Sequence, residues 1–501
     1  MLTRETLYVG EQPDKLDPSQ IVHITSREQT EQVPDGATIQ RWDYVTVVNS
    51  KCRRPSNLQP LRHLSDDLAD QVVDMLELKP GQDALSAIEA HLARSRDGKR
   101  DGGKRDCVDE FWQYVTQEPP SALGFSQINY KNYSSRGRPD EAMHRNDRSG
   151  KSSPLGQPCL EEGQAVFWRY AGSIFTALMH FSLAGGFGAP HLAATMKATA
   201  YLTSNSRDAT YRRLLETTLF VLDAMTDMRV GEGKGWRSAV RVRLLHAQVR
   251  RKIRLGLGKQ GKYDYEEHGI PINQADLATV LGAFMIAPLW SLQRTGISLT
   301  AFELSSYQTA WRYVGYYLGI DADLLEEFYG STYADAESAF ASLAFDAFPT
   351  ESPSDPLSTP TYKILSAVSE RPPRKQSIGH HLQYSRRLLG TGLANQLSIS
   401  SNAAWKDRAS VAFDLYCSYI FVTFGRLWPR KGWDRDRQAW VKKVIPLLVL
   451  WNLGERRTVF AWRPEQRRED KLGKDEGEDV VSDVTFARQA ISMLTDVPNV
   501  S

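Results

Sequence analysis

One histidine, His246, stands in a cation-rich stretch at residues 235–254. Apolar residues recur three or four positions apart in this stretch, at Ala239, Val242, Leu245, Val249 and Ile253. This period predicts one helix with an apolar side. At a helical turn of about 100° per residue, His246 lies beside that side, together with Arg243 and Arg250. A neutral imidazole there suits the axial ligand of a haem iron, and the two arginines suit haem propionates.

The spacing by itself favours a plainer interpretation. A lone histidine specifies no metal, so His246 also fits a core histidine whose hydrogen bonds are satisfied. The cations between Arg237 and Arg254 then form a solvated or nucleic-acid-facing stripe.

A second stretch opens the preceding predicted helix. Arg213, Glu216 and Thr217 follow the i, i+3, i+4 spacing that puts side chains on one helical face. An arginine, a carboxylate and a hydroxyl that converge on a pocket can orient dioxygen or supply a base. Without further context, the spacing favours a surface Arg–Glu pair worth a few tenths of a kcal/mol.

The order of these stretches along the chain resembles that of a known family. Arg213-x-x-x-Thr217 precedes Val242-Arg-x-x-His-Ala-x-Val-Arg250, and two further motifs follow, Gly269-Ile-Pro-Ile-Asn-Gln-Ala-Asp-Leu277 and Trp311-Arg-Tyr-Val-Gly-Tyr-Tyr-Leu-Gly-Ile320. Shorter matches lie at Leu61-Arg-His-Leu-Ser-Asp-Asp67 and Asp106-Cys-Val-Asp-Glu-Phe-Trp112. The sequence resembles the haem-dependent oxygenases that include the latex-clearing rubber oxygenases and the fungal ER-bound oxygenase of mycophenolic acid biosynthesis. The resemblance is strongest over residues 160–330.

The resemblance implies a mainly α-helical fold, a large multi-helix single domain with a globin-like core that holds one haem b. It implies His246 as the axial iron ligand and distal-side or haem-pocket positions for Arg213 and Thr217. The rubber oxygenases carry a lysine just before that threonine, where this chain has Glu216. This departure removes a distal lysine ligand and leaves either an open sixth position or a different gate, so the resemblance does not by itself imply a rubber substrate.

The family reaction adds both atoms of dioxygen across an alkene of an isoprenoid chain and cleaves it to carbonyl products. We therefore expect an apolar small-molecule substrate, with Glu216 as a base or as a group that orients the substrate. Two alternatives stay open. One is a haem-binding helical protein without catalysis, and the other is a haem-free interaction protein that uses the basic stripe at residues 241–254.

Composition divides the chain into segments. We expect a polar helical lead-in at 1–158, with helical spacing over 61–78 and a polar loop at 130–153. The oxygenase core follows at 159–345, and a Pro/Ser-rich connector at 346–362. We expect C-terminal helices at 363–462, clearest at 410–426 and 437–451, and a charged tail at 463–501 with a terminal helix at 481–494. Apolar runs at 171–189, 279–292 and 444–453 predict buried helices rather than membrane spans. Peripheral membrane contact stays open.

Charge and cysteine content exclude several classes. The 62 Lys and Arg residues nearly balance 60 Asp and Glu residues, which argues against a nucleic-acid partner. Four cysteines without a CxxC motif argue against a disulfide framework and a structural zinc site. The polar first residues show no secretory signal, so we expect an intracellular protein, cytoplasmic or peripherally associated with the ER. The oligomeric state does not follow from the sequence.

Overall fold

A computed structural model describes residues 6–10, 17–78, 82–96, 105–120, 159–199, 206–256, 263–372, 374–427 and 432–453. All of these residues belong to one compact unit, residues 1–462. The polar loop expected near 130–153, the charged tail and the terminal helix at 481–494 lie outside the described ranges.

The prediction of a mainly α-helical, large multi-helix protein is confirmed. The described helices before residue 200 are α1 Arg27–Gln32, α2 Pro55–Leu58, α3 Asp67–Met75, α4 Ala84–Arg96, α5 Cys107–Val115, α6 Leu160–Ala177, α7 Ala184–Gly186 and α8 Pro190–Thr199. Those between residues 200 and 350 are α9 Arg207–Ala224, α10 Lys234–Arg254, α11 Tyr265–His268, α12 Gln274–Met285, α13 Ala287–Arg294, α14 Ala301–Tyr317, α15 Ala322–Tyr329 and α16 Tyr333–Ala347. The last are α17 Pro360–Val368, α18 Ile378–Leu389, α19 Thr391–Gln396, α20 Trp405–Leu427 and α21 Trp433–Leu453.

A small four-stranded sheet precedes the helical core. Its strands are β1 Leu7–Tyr8, β2 Val22–His23, β3 Thr38–Arg41 and β4 Tyr44–Val47, in the order β1-β4-β3-β2. Strands β3 and β4 form an antiparallel hairpin in which Ile39 pairs with Thr46. The two outer strands pair in parallel with this hairpin.

The helix expected from residue 61 onward is interrupted. A 3₁₀ turn covers Pro60–His63, and α3 begins only after Asp66. The Asp66 side chain accepts a hydrogen bond from the amide of Ala69, so it caps α3 and sets its start. This break turns the Asp66 carboxylate toward the protein interior, where only 7% of the residue is exposed.

The long apolar run at 171–189 is a buried helical segment with a change of winding. Helix α6 passes into a π-helix at Leu178–Leu183, and α7 follows directly. Helix α6 packs closely against α14, because a Cβ atom added at Gly163 would lie 2.2 Å from the carbonyl oxygen of Ser306.

Helices α9 and α10 form an antiparallel hairpin. The turn between them is tight, since a Cβ atom at Gly235 would lie 2.5 Å from the carbonyl oxygen of Asp223. The Ser238 hydroxyl donates to Asp223 Oδ2 at 2.9 Å and joins the two helices at this end. The prediction of one helix over 235–254 is confirmed, because α10 is continuous from Lys234 to Arg254.

The apolar run at 279–292 is divided between two helices. Helix α12 ends at Met285, and α13 starts after Ile286 with a proline in its first turn. Within the described chain, Gln274–Arg294 is the single stretch long and apolar enough to span a membrane, and 78% of its apolar window is buried.

Candidate active site

His246 occupies the middle of α10. It is half-buried, and its Nδ1 atom is buried without a hydrogen-bond partner among the described residues. Burial first, and the nearby charge of Arg250 second, lower the pKa of His246 to about 3. The imidazole is therefore neutral at physiological pH, which is the form that binds metals.

The buried side of α10 differs from the expected apolar stripe. Val242, Leu245 and Val249 are only half-buried, whereas Arg243 and Arg250 are each 4% exposed. Of the five residues of the predicted apolar side, Ala239 and Ile253 are buried, and the helix also buries these two charged residues, which the apolar spacing did not indicate. Carboxylates of α3 pair with the two arginines, and a paired charge can be buried where an unpaired one cannot.

Arg243 forms a two-point ion pair with Asp66. Its Nε and Nη2 atoms donate to the carboxylate at 2.6 and 2.9 Å. The guanidinium also lies over the rings of Phe111 and Tyr114, at 5.2 and 4.8 Å from their centroids. Gly319 covers the pair, and a Cβ atom there would lie 2.3 Å from Asp66 Oδ2.

Arg250 repeats this arrangement two turns further along α10. Its Nε donates to Asp70 at 2.8 Å, and its Nη1 donates to the carbonyl of Ile272 at 3.2 Å. Burial raises the pKa of Asp70, and the charge of Arg250 opposes this shift.

The other arginines of the helix also have carboxylate partners. The pairs are Arg237 with Glu89, Arg241 with Asp83, and Arg251 and Arg254 with Asp74. Five arginines between residues 241 and 254 thus form ion pairs within the protein. They do not form a stripe of unpaired cations for an acidic partner.

The motifs recognised in the sequence meet around α10. Gln274 donates to the carbonyl of Gly319 at 3.0 Å and accepts from the amide of Asp321 at 3.1 Å. Asn273 caps α12 by accepting from the amide of Asp276 at 2.9 Å. These residues connect the segment at 269–277 with the end of α14 and hold the loop that covers the Asp66–Arg243 pair.

Arg213, Glu216 and Thr217 lie together on α9. Arg213 Nη1 donates to Glu216 Oε2 at 2.7 Å, and the Thr217 hydroxyl donates to the carbonyl of Arg213 at 3.1 Å. Glu216 is 8% exposed, so this is not the surface pair that spacing alone favours.

A largely apolar cavity lies between the π-helix, α12 and α16, with an empty volume of about 710 Å³, its mouth included. Aromatic residues dominate its wall, including Trp42, Phe181, Phe187, Phe284, Trp290 and Phe340. None of the six candidate residues lines it. However, Phe187 and Phe284 pack in the same cluster as Tyr211 and Leu214, so the cavity wall reaches the first turns of α9.

The sequence interpretation missed a cluster of histidines. His180, on the π-helix, contacts the carbonyl of Thr176 through Nδ1 at 2.9 Å and His381 Nδ1 through Nε2 at 3.0 Å. Because a carbonyl only accepts, His180 donates through Nδ1 and accepts from His381. Burial lowers the pKa of His180 to about 4 and that of His381 to about 2. The adjacent His380 and His381 were the one sequence signal, but their partner is 201 residues away.

Taken together, the fold and the site define a mainly α-helical protein with a neutral histidine on a helix braced by buried arginine–aspartate pairs. Residues 168–420 match the family described as ER-bound oxygenase mpaB/B'/Rubber oxygenase, catalytic domain. The match covers slightly more than half of the chain, and the chain belongs to this family of oxygenases.

One solved structure is similar to the chain. It is the latex clearing protein LCP in the closed state, with 16% sequence identity and a TM-score of 0.49 over 76% of this chain and 90% of that chain. No curated protein matches the chain as a relative.

Proposed function

We propose that this chain is a haem b-dependent oxygenase that uses dioxygen to cleave a carbon–carbon double bond of an apolar isoprenoid or secondary metabolite. One observation carries the proposal. Three buried nitrogens of α10, His246 Nδ1, Arg243 Nη1 and Arg250 Nη2, lack hydrogen-bond partners among the described residues. Their residues lie within about 60° of one another around the helix axis.

These nitrogens suit a haem. A buried polar group without a partner costs about 1–3 kcal/mol, so a ligand that satisfies all three is favoured. Haem b has an iron for an imidazole and two propionates for guanidinium groups. When bound, it supplies an iron centre that binds and activates dioxygen.

Three residues of α10 would hold the haem, each through a different contact. His246 offers a neutral imidazole, because burial keeps its pKa near 3. Asp66 binds Arg243 and Asp70 binds Arg250 through the Nε side of each guanidinium group. These ion pairs fix the orientation of the guanidinium groups, so that Nη1 of Arg243 and Nη2 of Arg250 are held in place for a propionate. We therefore retain both arginines as cofactor-binding residues, held in place by α3.

Helix α9 supplies the polar groups for the substrate side. The ion pair with Arg213 fixes the rotamer of Glu216, whose carboxylate can accept a proton or a hydrogen bond from the substrate. Thr217 uses its proton on the carbonyl of Arg213, so its oxygen is left as an acceptor. Glu216 takes the place of the lysine of the rubber oxygenases, which supports a substrate other than rubber.

The apolar cavity supports an apolar substrate. An isoprenoid chain has much surface and few hydrogen-bonding groups, and an aromatic wall binds such a molecule by burial. We propose that the cavity holds the chain of the substrate while its double bond reaches the first turns of α9.

The setting that we propose is intracellular, in the cytoplasm or at the ER surface. The four cysteines, Cys52, Cys107, Cys159 and Cys417, form no disulfide bonds among the described residues, which suits a reducing compartment. The family description names ER-bound members.

An absorption spectrum of the purified protein tests the cofactor. The wild-type protein should show a Soret band, and His246→Ala should lose it. The matched control His23→Ala changes an exposed histidine of β2 and should keep the band. A wild-type protein that stays colourless after reconstitution with haem would contradict the proposal.

Oxygen consumption with terpenoid alkenes, followed by product mass spectrometry, tests the reaction. Glu216→Gln should keep the Soret band and lower turnover by about 10²–10⁴-fold, the usual loss for a general base. The control Glu232→Gln alters an exposed carboxylate in the turn before α10. Equal turnover of Glu216→Gln and the wild type would remove Glu216 from the catalytic residues.

A further inference from the structure

Helix α20 presents an unusually apolar surface to solvent. Trp405, Phe413 and Tyr416 are 81%, 61% and 64% exposed, and Ile420 is also exposed. These four side chains lie within about 80° of one another around the helix axis. We call them the aromatic face. Every exposed residue from Ala409 to Phe421 is uncharged, including Ala412, Cys417 and Tyr419.

The carboxylates of this helix point the other way. Asp414 accepts from Arg374 at 2.6 Å, and Asp407 accepts from the Ser377 hydroxyl at 2.7 Å. The inner side of α20 is anchored by the buried residues Val411 and Val422. An ordinary surface helix has its apolar side inward and its charges outward, so the polarity of α20 is partly reversed. A contiguous exposed patch of this kind marks a surface that binds something.

The exposed charges of α20 and of its neighbour α21 are mostly cationic. Among the residues of these two helices whose burial is described, the exposed charged residues are Lys406, Arg408, Arg435, Lys442, Lys443 and one carboxylate, Asp436. Asp436 is itself paired with Arg435 at 3.2 Å. Tryptophan and tyrosine with a fringe of lysine and arginine are the composition of surfaces that lie in the headgroup region of a bilayer.

The same charges argue against a second copy of this chain as the partner. A two-fold contact through the aromatic face would bring the two cationic fringes together, and like charges repel. An anionic lipid surface instead complements them, at about 1 kcal/mol for each lysine or arginine near the membrane.

We propose that the aromatic face of α20 docks on a membrane that contains anionic phospholipid. The aromatic side chains enter the boundary between headgroups and acyl chains, and the flanking lysines and arginines contact lipid phosphates. This inference does not depend on haem or on catalysis, because it rests on the exposed surface of α20 and α21.

Sedimentation of the full chain with vesicles tests the proposal. We expect binding to vesicles of phosphatidylcholine with phosphatidylserine, and weaker binding to phosphatidylcholine alone. The combined variant Phe413→Ser, Tyr416→Ser, Ile420→Ser should reduce binding at least about ten-fold. The control Leu357→Ser removes an apolar side chain that is 62% exposed on the connector, and should bind as the wild type does.

A second variant separates charge from insertion. Lys406→Glu with Lys443→Glu should weaken binding to the anionic vesicles only, and added salt should reduce the difference. Quenching of Trp405 fluorescence by brominated lipid, lost in Trp405→Phe, should report insertion.

Three outcomes overturn the proposal. The first is no binding to either vesicle, or equal binding by the wild type and the triple-serine variant. The second is a dimer in light scattering that the triple-serine variant abolishes, which assigns the face to a second copy. The third is binding that appears only after removal of residues 454–501, which assigns the face to that segment. Unchanged thermal unfolding of each variant shows that the fold is intact.

Discussion

Helices α10 and α20 place their polar residues in opposite ways. On α10 the guanidinium groups of Arg243 and Arg250 are buried beside apolar residues such as Leu244, while Leu245 and Val249 are only half-buried. On α20 the aromatic side chains are exposed, and Asp407 and Asp414 face inward. Both helices depart from a simple division into an apolar inner side and a charged outer side, but for different reasons.

The partners available to each helix explain the difference. Helix α10 lies beside α3, whose aspartates compensate the buried charges, so its charged side can be internal. The carboxylates of helix α20, Asp407 and Asp414, contact α18 and the loop before it, and the aromatic face is left exposed. Burial is therefore decided by what a neighbour can neutralise as well as by hydropathy.

The largest expected loss of stability comes from breaking the ion pair between Asp66 and Arg243 of α10. Asp66→Ala leaves the buried Arg243 without its carboxylate and removes the cap of α3, so it should lower the free energy of unfolding by about 3–5 kcal/mol. Urea denaturation measures this. Asp74→Ala removes the exposed partner of Arg251 and Arg254 and should cost at most about 1 kcal/mol. Equal losses would show that burial of the pair is unimportant.

A smaller loss is expected at Gly319, which covers the same pair. Its φ is +89°, and an added Cβ atom would collide with Asp66 and lie 2.8 Å from Arg243 Nε. Gly319→Ala should therefore destabilise the fold by about 2–3 kcal/mol. Gly36→Ala has nearly the same φ, +86°, but open space around it, so it isolates the cost of the backbone alone. If both variants unfold alike in urea, the close packing over the pair contributes nothing.

Acidification should reduce the stability of the protein through the buried imidazole of His246 on α10. The pKa of His246 is lowered to about 3 from about 6.5, chiefly by burial. As the pH falls from about 6.5 toward 3, the unfolded chain takes up a proton that the folded chain refuses, so stability is lost. In the haem-free protein, His246→Gln removes this contribution, and its unfolding free energy should fall less between pH 7 and pH 5 than that of the wild type. Parallel curves would indicate an exposed, titrating imidazole. His180 and His381 are unchanged in both proteins.

The smallest change in stability is expected for the exposed aromatic residues of α20. Tyr416→Ser and Phe413→Ser replace exposed side chains and should change the free energy of unfolding by no more than about 0.5 kcal/mol. Thermal unfolding in the absence of lipid measures this. A loss comparable with that of Asp66→Ala would mean that the aromatic face packs inside the protein.

The sequence predicted individual elements better than their contacts. The period of residues 235–254 gave α10 and the position of His246, and the runs near 410–426 and 437–451 appear within α20 and α21. The same period did not show that Arg243 is buried, because Arg243 and Asp66 are 177 residues apart and their pairing leaves no local trace. The π-helix at Leu178–Leu183 likewise depends on packing, whereas the break at Ile286 has a local signal in Pro288, in the first turn of α13.

The sequence by itself determined the helical class, the family resemblance and the six candidate residues, because helical period and motif order are local properties. The tertiary structure decided which charges are buried. It brought Asp66, Asp70 and Gly319 to α10, gave the arginines their partners, and left the aromatic side of α20 exposed. Such contacts form between residues far apart in the chain, so only the folded molecule defines them.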